Sequence, residues 1–525
     1  MSDVGPGNPS ADAADPATQA ARVQASRTLL RRLMAEIGED AAQMCATWDP
    51  EIEREAFRAG AENLAYYLAS RQRDLTELQA GLSALGLSSL GRSESHPRQT
   101  MAAVAATLDG LTGHAANWPS PEELAAGLEN ITRDQDLFFG DFPGGRKTRI
   151  MVTVPEEGAD DASLVESLVE AGASCFRINC AHDGPQAWTR MIAHIRAAAE
   201  KAGRTCPIVM DIAGPKCRIE TADLAGRKRV FRGDRFHLFA EPPTARNDLP
   251  YVTISFPEVV KRVQPGMLVW IDDGKIGARV IETSEGGALL EVTVARDKGE
   301  KLRLEKGVNF PSVDLDMPLL TPKDAADLAF VAEHADVVGC SFVQRTGDVR
   351  LISAELGRHR GDRPPQPLLL KIETGLAVRN LPRLIVQAGA RHPVAVMIAR
   401  GDLAMEVGTE RLSEVQEEIL WLCEAAHIPV VWATQVLETL IKSGAPSRAE
   451  VTDAAMGQRA ECVMLNKGPY VVETIRFLAG ILRRMDRHQF KKTPRLSALT
   501  SWHGPQPLRE KEEESAGEAP SSHPA

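Results

Sequence analysis

Eight short apolar segments recur between residues 148 and 466, and this recurrence constrains the fold more than any other feature of the chain. They are TRIMVTV (148–154), CFRINC (175–180), PIVMDI (207–212), DVVGCSFV (336–343), PLLLKIE (367–373), PVAVMIAR (393–400), PVVWATQ (429–435) and CVMLN (462–466). Continuous apolar runs of this length are typical of strands buried on both faces, and helical patterns lie between most of them. Eight strand–helix units predict a closed parallel (β/α)8 barrel.

One interval, from Ile212 to Thr321, has a different texture. It alternates polar and apolar residues and carries turn signals, as in RVFRGDRFHLFAE and QPGMLVWIDDGKIGARVIET. This pattern predicts a small antiparallel β-barrel inserted after the third strand. Such an insertion is either a lid that excludes water from chemistry at the barrel mouth or a module that only packs on the barrel rim.

Local composition divides the chain into terminal segments, a helical region, two barrel segments and the inserted domain. We expect disorder at residues 1–20 and 491–525, a helical region at 21–135, barrel segments at 146–215 and 315–490, and the inserted lid domain at 216–314. The helical region should contain three to five helices. One of them carries an apolar face made by Leu64, Leu68, Leu75, Leu78, Leu82 and Leu85. An interaction or dimerisation module and a cap packed on the barrel both remain open for this region.

Polar side chains stand at the ends of two neighbouring predicted strands. Lys371 and Glu373 are two residues apart, so they point the same way on a strand, and Asp402 follows the next strand. In a parallel barrel these strand ends meet at one face. Two carboxylates beside a lysine predict a site for Mg²⁺ or Mn²⁺ with a fixed cation next to it. The alternative is that these residues only close two strands.

Several motifs together resemble the pyruvate kinase family. They are CFRINCAHD (175–183), MDIAGPKCR (210–218), EKGVNFPSVDLDMP (305–318), LLLKIETGLAVRN (368–380), ARGDLAMEV (399–407) and WATQVLETLIKSGAPSRAEVTD (432–453). The resemblance runs in order over about residues 146–480. It implies a transfer of the phosphoryl group from phosphoenolpyruvate to ADP, giving pyruvate and ATP, in the cytoplasm.

The resemblance also implies a role for each matching residue. Glu373 and Asp402 would bind Mg²⁺, and Lys371 would neutralise the transferring phosphoryl group. The backbone N–H groups of Gly401 and Asp402 would hold the substrate carboxylate, and Thr434 would help to deliver the proton that completes pyruvate. The residues expected to contact phosphate or to lie on the nucleotide side are Arg177, Asn179, His182, Arg218 and Lys306.

The chain departs from the family pattern at its potassium site. The family binds K⁺ through an asparagine, a serine, an aspartate and a threonine. Here Asn179 and Asp211 remain, whereas Ala181 and Ile212 replace the two hydroxyl ligands. Lys216 stands where the family usually has glutamate, and a lysine ammonium can take the place of K⁺. K⁺ should therefore not be required, unless Lys216 is merely a solvated surface charge.

Two further departures leave other functions open. Asn466-Lys467-Gly468 replaces a longer loop after the last strand, and the family's C-terminal regulatory domain has no counterpart, so we expect no activation through it. A non-catalytic sensor of phosphoenolpyruvate or nucleotide is one alternative. A metal-dependent enolate lyase or aldolase on the same barrel is the other.

The global composition narrows the classes of partner. A net charge of −11 disfavours nucleic acid, and no apolar run is long enough for a membrane span. The eight cysteines are scattered without a CxxC motif, as is usual for buried thiols in a reducing compartment. A homo-oligomer remains open.

Overall fold

The chain begins with five helices. The computed structural model describes residues 16–142, 145–244, 247–311, 317–491 and 493–495. The helices are α1 (Pro16–Trp48), α2 (Glu55–Arg71), α3 (Thr76–Ala84), α4 (Pro97–Leu111) and α5 (Pro121–Phe139). An all-helical N-terminal region is therefore confirmed, although α1 begins inside the segment that we expected to be disordered. Residues 1–15 of that segment lie outside the described residues.

The single helix predicted over Leu64 to Leu85 is wrong, because these leucines are divided between two helical segments and two apolar clusters. α2 ends at Arg71 and α3 begins at Thr76. Between them, the carboxylate of Asp74 accepts hydrogen bonds from the backbone N–H of Thr76 at 2.9 Å and from its hydroxyl at 2.5 Å. This local side-chain bonding competes with helix continuation and stabilises a turn instead.

The first three barrel strands alternate with helices. They form β1 (Arg149–Thr153), α6 (Ala162–Ala171), β2 (Cys175–Asn179), α7 (Pro185–Lys201) and β3 (Ile208–Asp211). α6 illustrates the local signals. The Asp161 carboxylate accepts hydrogen bonds from the N–H groups of Ser163 and Leu164, and Gly172 ends the helix in the left-handed conformation.

A second sheet follows β3, as predicted. Its strands are β4 (Ile219–Asp223), β5 (Arg235–Phe239), β6 (Tyr251–Ile254), β7 (Leu268–Ile271), β8 (Ile276–Ser284), β9 (Gly287–Val294) and β10 (Val308–Asn309). The spatial order is β10-β7-β8-β9-β5-β6-β4, and an antiparallel bridge between Arg218 and Gly307 joins the two edges. The sheet is thus nearly closed around its own apolar core.

The expectation that this sheet is purely antiparallel is wrong at one pair. β5 and β6 run parallel, while the other neighbouring strands run antiparallel. A parallel pair needs a connection that brings the chain back to the end at which the first strand began, and a tight hairpin cannot provide it. The predicted end of the lid at residue 314, and residues 312–316 of the motif that closes it, lie outside the described residues.

The chain then completes the barrel. The remaining elements are α8 (Pro322–His334), β11 (Val337–Cys340), α9 (Thr346–Arg360), β12 (Leu368–Ile372), α10 (Gly375–Gly389), β13 (Val394–Ala399), α11 (Arg400–Val407), α12 (Thr409–Ala425), β14 (Val430–Ala433), α13 (Glu438–Ser443), α14 (Arg448–Met456), β15 (Cys462–Leu465) and α15 (Val471–Met485). The eight parallel strands close in the order β1-β15-β14-β13-β12-β11-β3-β2. Each predicted run contains its observed strand, so the barrel is confirmed.

A short hairpin, β16 (Gln489–Phe490) with β17 (Thr493–Pro494), follows α15. The expectation of disorder from residue 491 onward is therefore wrong for residues 491 and 493–495. Two ion pairs hold the side chain of Lys491 against the protein. Its Nζ atom lies 2.6 Å from Glu461 Oε1 and 3.7 Å from Glu424 Oε2. Residues 496–525 lie outside the described residues.

Two global expectations can be compared with the described residues. No helix in the described ranges is both long enough and apolar enough to cross a membrane. All eight cysteines are free, and seven of them are buried.

The helical region is packed on the barrel and closes its N-terminal end. Phe138 and Phe139, at the end of α5, are fully buried in one cluster with inward-facing barrel residues such as Met151, Leu369 and Val431. α2 packs on α12, where Gly60 is needed because a Cβ atom there would lie 2.4 Å from the carbonyl oxygen of Ala426. The helical region therefore acts as a cap packed on the barrel, which was one of the two possibilities for it.

We expect Phe139→Ala to lower the free energy of unfolding by about 3–5 kcal/mol, because it opens a cavity where the barrel interior is sealed. Chemical denaturation followed by far-UV circular dichroism measures the change. Leu137→Ala is the matched control on the same helix, since Leu137 is 46% exposed. It should change stability by no more than about 0.5 kcal/mol. Equal losses in the two variants would contradict the role of Phe139 as a plug.

Candidate active site

A lysine lies buried at the C-terminal end of β12. Lys371 Nζ donates to Ser341 Oγ at 2.7 Å and lies 3.2 Å from Glu373 Oε1 and 3.5 Å from Asp211 Oδ2. Burial opposes the charged form, but the carboxylates of Glu373 and Asp211 outweigh it and raise the pKa of Lys371. The structure thus provides a fixed ammonium group at the barrel mouth.

Asp211 connects this lysine to an arginine from β2. Arg177 Nε lies 2.6 Å from Asp211 Oδ2, and Arg177 Nη1 donates to Thr153 Oγ1 at 3.2 Å. Burial works against ionisation of Asp211, but Arg177 and Lys371 overcome it and lower the pKa of the carboxyl group. Gly339 makes room for this carboxylate, because a Cβ atom at Gly339 would lie 1.9 Å from Asp211 Oδ1. The predicted phosphate-binding arginine is therefore held by an ion pair.

The two predicted metal ligands lie on adjacent strand ends. Glu373 Oε2 accepts a hydrogen bond from the backbone N–H of Phe342 at 2.6 Å. Asp402 lies 2.9 Å (Oδ1) and 3.0 Å (Oδ2) from Lys216 Nζ, and its Oδ1 also accepts from Asn309 Nδ2 at 3.4 Å. Glu373 follows β12 and Asp402 lies in α11, whereas Lys216 and Asn309 come from the lid, so the lid contributes polar groups to this corner of the barrel.

These carboxylates fit a divalent cation. Burial raises the pKa of Glu373, Lys371 opposes that shift, and the negative charge of Asp402 adds to it. A cation between the two carboxylates would relieve this repulsion. Within the described ranges, no group of three or more histidine, cysteine or acidic side chains is arranged to hold a metal. A site with two carboxylates suits Mg²⁺, which keeps several waters and takes further oxygens from substrate phosphates.

Thr434 and Gly401 contact each other. Thr434 has a φ of +62°, and its Oγ1 atom accepts from the backbone N–H of Gly401 at 2.8 Å while donating to the Ala433 carbonyl at 2.7 Å. The Gly401 N–H that was expected to hold a substrate carboxylate is therefore paired here, and binding through it requires an exchange of partner. Arg400 fixes this corner by donating to the Thr434 carbonyl at 2.8 Å and pairing with Asp453.

The predicted nucleotide-side residues are spread around the mouth. Arg218 Nη1 donates to the Glu305 carbonyl at 2.9 Å, and Lys306 Nζ lies 3.1 Å from Asp272 Oδ1. Asn179 Oδ1 accepts from the Ala181 N–H at 3.2 Å, and the side chain of His182 is exposed. No hydrogen bond or ion pair in the described part of the chain joins one of these side chains to another. Their common role remains a prediction.

Lys216 is not a solvated charge. Its Nζ atom bonds both oxygens of Asp402 and lies 4.0 Å from Asp273 Oδ1. Asp211, the retained ligand of the potassium pattern, instead pairs with Arg177 and Lys371, and its Oδ1 atom has no hydrogen-bond partner among the described residues. The ammonium group of Lys216 therefore forms an ion pair with Asp402, one of the two candidate metal ligands.

The altered loop after β15 has its own contacts. Asn466 Nδ2 donates to Glu438 Oε2 at 3.0 Å, and Lys467 Nζ lies 2.6 Å from Glu156 Oε1. The loop therefore bonds to the segments that follow β14 and β1 at the same barrel face.

Comparisons with known proteins agree with the barrel fold. The family profile described as "Pyruvate kinase, barrel domain" matches residues 145–475. The chain belongs to the pyruvate kinase family. A pyruvate kinase of Methylorubrum extorquens is 34% identical over 349 residues, covering 65% of this chain and 69% of the relative.

Two other pyruvate kinases extend the comparison. One of Agrobacterium vitis is 33% identical over 354 residues, covering 66% of this chain and 69% of its own. One of Geobacillus stearothermophilus is 30% identical over 349 residues, covering 65% and 57%. Membership in the pyruvate kinase family makes this chain an enzyme of the phosphotransferase class.

Sequence reasoning missed four polar residues of this pyruvate kinase site: Asp272, Asn309, Glu406 and Asp453. Asn309 links the lid to the barrel, because its side chain bonds both Asp402 and Glu406. Burial raises the pKa of Glu406 to about 7, while the Asn309 hydrogen bond lowers it and Asp402 raises it. Glu406 lies one helical turn after Asp402, and that spacing was the one available signal.

Glu406 generates a prediction about stability and pH. Because its folded pKa is raised, Glu406 stabilises the fold below its unfolded pKa, and this contribution is lost as the pH rises through about 7. In EDTA, Glu406→Gln should therefore be more stable relative to wild type at about pH 8 than at about pH 5. Denaturant unfolding at several pH values measures the difference. The exposed Glu410→Gln is the control and should follow the wild-type curve. A Glu406→Gln curve parallel to wild type would rule the titration out.

Proposed function

We propose that this enzyme transfers the phosphoryl group of phosphoenolpyruvate to ADP, giving pyruvate and ATP, with Mg²⁺ or Mn²⁺ and without a requirement for K⁺. The observation that carries the proposal is the buried ammonium of Lys371, held by Ser341, Glu373 and Asp211 beside the candidate metal carboxylates. Phosphoryl transfer depends mainly on positioning and on charge stabilisation, and this arrangement supplies both.

The side chains divide the work as follows. Lys371 neutralises the oxygens of the phosphoryl group while its bond to the enolate oxygen breaks, and Arg177 binds phosphate with the donors not used by Asp211 and Thr153. Glu373 and Asp402 hold the metal, which supplies Lewis-acid stabilisation of the enolate when it is bound. Thr434 helps to deliver a proton to the enolate carbon, which completes pyruvate. Arg218 and Lys306 contact the nucleotide phosphates.

The decisive experiment is an assay of ATP formation from phosphoenolpyruvate and ADP with purified protein. Formation of ATP and pyruvate in equal amounts supports the proposal. Binding of phosphoenolpyruvate without turnover would favour a sensor, and release of pyruvate or another enolate product without ATP would favour a lyase or aldolase.

We expect Lys371→Met to lower kcat by about 10³-fold or more, because a charge that stabilises the transition state is lost. Steady-state kinetics with both substrates measure the effect, and circular dichroism checks the fold. Lys442→Met is the matched control, since Lys442 is 66% exposed on α13. An unchanged kcat with only a raised KM would mean that Lys371 binds substrate and transition state equally.

Glu373→Gln and Asp402→Asn should each abolish turnover and weaken metal binding, because an amide is a much poorer ligand for a hard divalent cation than a carboxylate. Mn²⁺ binding followed by electron paramagnetic resonance tests the ligand assignment without any assay of activity. The control is Glu410→Gln, which should bind Mn²⁺ as the wild type does. Wild-type Mn²⁺ affinity in either site variant would remove that residue from the metal site.

The replacement of both hydroxyl ligands by Ala181 and Ile212 supports independence from K⁺, and Lys216 provides a fixed cation at the barrel mouth, on Asp402. Activity in Na⁺ or tetramethylammonium buffer should equal that in K⁺ buffer. Lys216→Glu should reduce activity, and added K⁺ should restore only part of it. The combined change Lys216→Glu, Ala181→Ser and Ile212→Thr should create dependence on K⁺. Many-fold activation of the wild type by K⁺ would overturn this part of the proposal.

A further inference from the structure

A second cleft lies at the opposite end of the barrel from the candidate active site, where β12 and β13 begin. Its volume is about 650 Å³, within the range of roughly 300–1,000 Å³ that is usual for small-molecule sites. The side chains that matter for its chemistry are Arg54, Ser353, Arg360, Arg363, Arg391 and His392. The pyruvate kinase reaction uses none of them.

The N-terminal helical region supplies one wall of this cleft. The backbone N–H groups of Glu53 and Arg54 both donate to the Ala390 carbonyl, at 3.0 and 2.8 Å. Glu53 Oε1 also lies 2.7 Å from Arg391 Nη2. The segment before α2 is thereby fixed against the loop that leads into β13, so the cleft exists only when the helical region and the barrel are joined.

The cleft carries an excess of positive charge. Four arginines line it, and Glu53 is the one acidic side chain among its described lining residues. Arg360 donates to the Ala332 carbonyl at 2.8 Å and to the Pro364 carbonyl, and Arg363 donates to the Arg360 carbonyl at 3.2 Å. These two guanidinium groups bond neutral carbonyls rather than carboxylates in the described contacts. Their charge therefore remains available to an anion.

His392 lies in this cleft, and its pKa depends on the positive charge around it. His392 Nδ1 lies 2.8 Å from the Gln366 carbonyl, which can only accept, so Nδ1 carries the proton and Nε2 accepts from Ser353 Oγ at 2.7 Å. Burial lowers the pKa of His392, the Gln366 bond opposes this, and Arg391, Arg360 and Arg54 lower it further. Positive charge around His392 therefore disfavours the protonated imidazole, although Arg391 pairs with Glu53 and Arg54 lies 3.8 Å from Asp134.

We propose that this cleft binds a small phosphate-bearing organic anion. Arg360 and Arg363 would hold the phosphoryl oxygens through their planar donor forks, which match phosphate geometry. Ser353 would add a hydroxyl donor or acceptor, and Pro364 with Pro365 would form a rigid wall for the organic part. Such a site lies at the starts of the two strands whose far ends carry Lys371 and lead to Asp402.

The test uses the full chain with its histidines labelled with ¹³C, and inorganic pyrophosphate and glycerol 3-phosphate as probes. The histidine resonance that is absent from the spectrum of the His392→Gln variant is assigned to His392. We expect each probe to raise the pKa of His392, because a bound anion offsets the three guanidinium charges. Binding at the active site leaves this signal unchanged, since the two sites lie at opposite ends of the barrel.

The double variant Arg360→Gln, Arg363→Gln should weaken binding, measured by this titration, by about tenfold or more, because two charge-assisted contacts are lost. Arg363→Gln alone removes only an exposed side chain and keeps the test valid if the double variant is unstable. The matched control is Arg358→Gln on α9, the helix that ends at Arg360, since Arg358 is 71% exposed and pairs with Glu355. It should bind as the wild type does.

Three outcomes would overturn the proposal. They are an unchanged His392 titration at about 10 mM of either probe, equal affinity in the wild type and the Arg363→Gln variant, and an equal loss in the Arg358→Gln control. Citrate provides the last arm of the experiment. If citrate binds as tightly as pyrophosphate, the cleft recognises carboxylates, and the assignment to phosphate is wrong.

Discussion

The structure depends on a buried row of alternating charges, Arg177–Asp211–Lys371–Glu373, at one end of the barrel. Charges withdrawn from water are tolerated only when each meets an opposite charge and further hydrogen bonds. Four neighbouring strands are needed to meet this condition, because β2, β3 and β12 carry the charges and Ser341 follows β11. The row therefore links closure of the barrel to the chemistry at its mouth.

The row ends beside a second carboxylate, that of Asp402. Burial raises the pKa of Glu373, Lys371 opposes this shift, and the proximity of Asp402 adds to it. A divalent cation between the two carboxylates would relieve their mutual repulsion. The lid adds Asn309 and Lys216 to the same corner, so it contributes to the electrostatics of the candidate metal site.

Much of this could be predicted from sequence, and for a physical reason. Strands buried on both faces must be continuously apolar, and each of the eight apolar segments of the sequence therefore contains one barrel strand. Parallel strand ends must meet, so Lys371 and Glu373 were correctly placed beside Asp402. Other features carry no local signal. Gly339 is required by the Asp211 carboxylate of a different strand, and the parallel pairing of β5 with β6 depends on the path of the chain between them.

In the helical region, the roles of several residues cannot be predicted from sequence because they depend on contacts with the barrel. Phe138 and Phe139 resemble any apolar helix end, and only the barrel makes them a plug. Glu53 and Arg54 resemble surface charges, and only their bonds to the Ala390 carbonyl make them the wall of a cationic cleft. A segment whose own pattern shows only amphipathic helices can thus both seal the barrel and build a surface with the strands that lead to the candidate active site. The motifs of the sequence lie at the C-terminal face of the barrel, whereas the surface at the opposite end arises from packing between two parts of the chain.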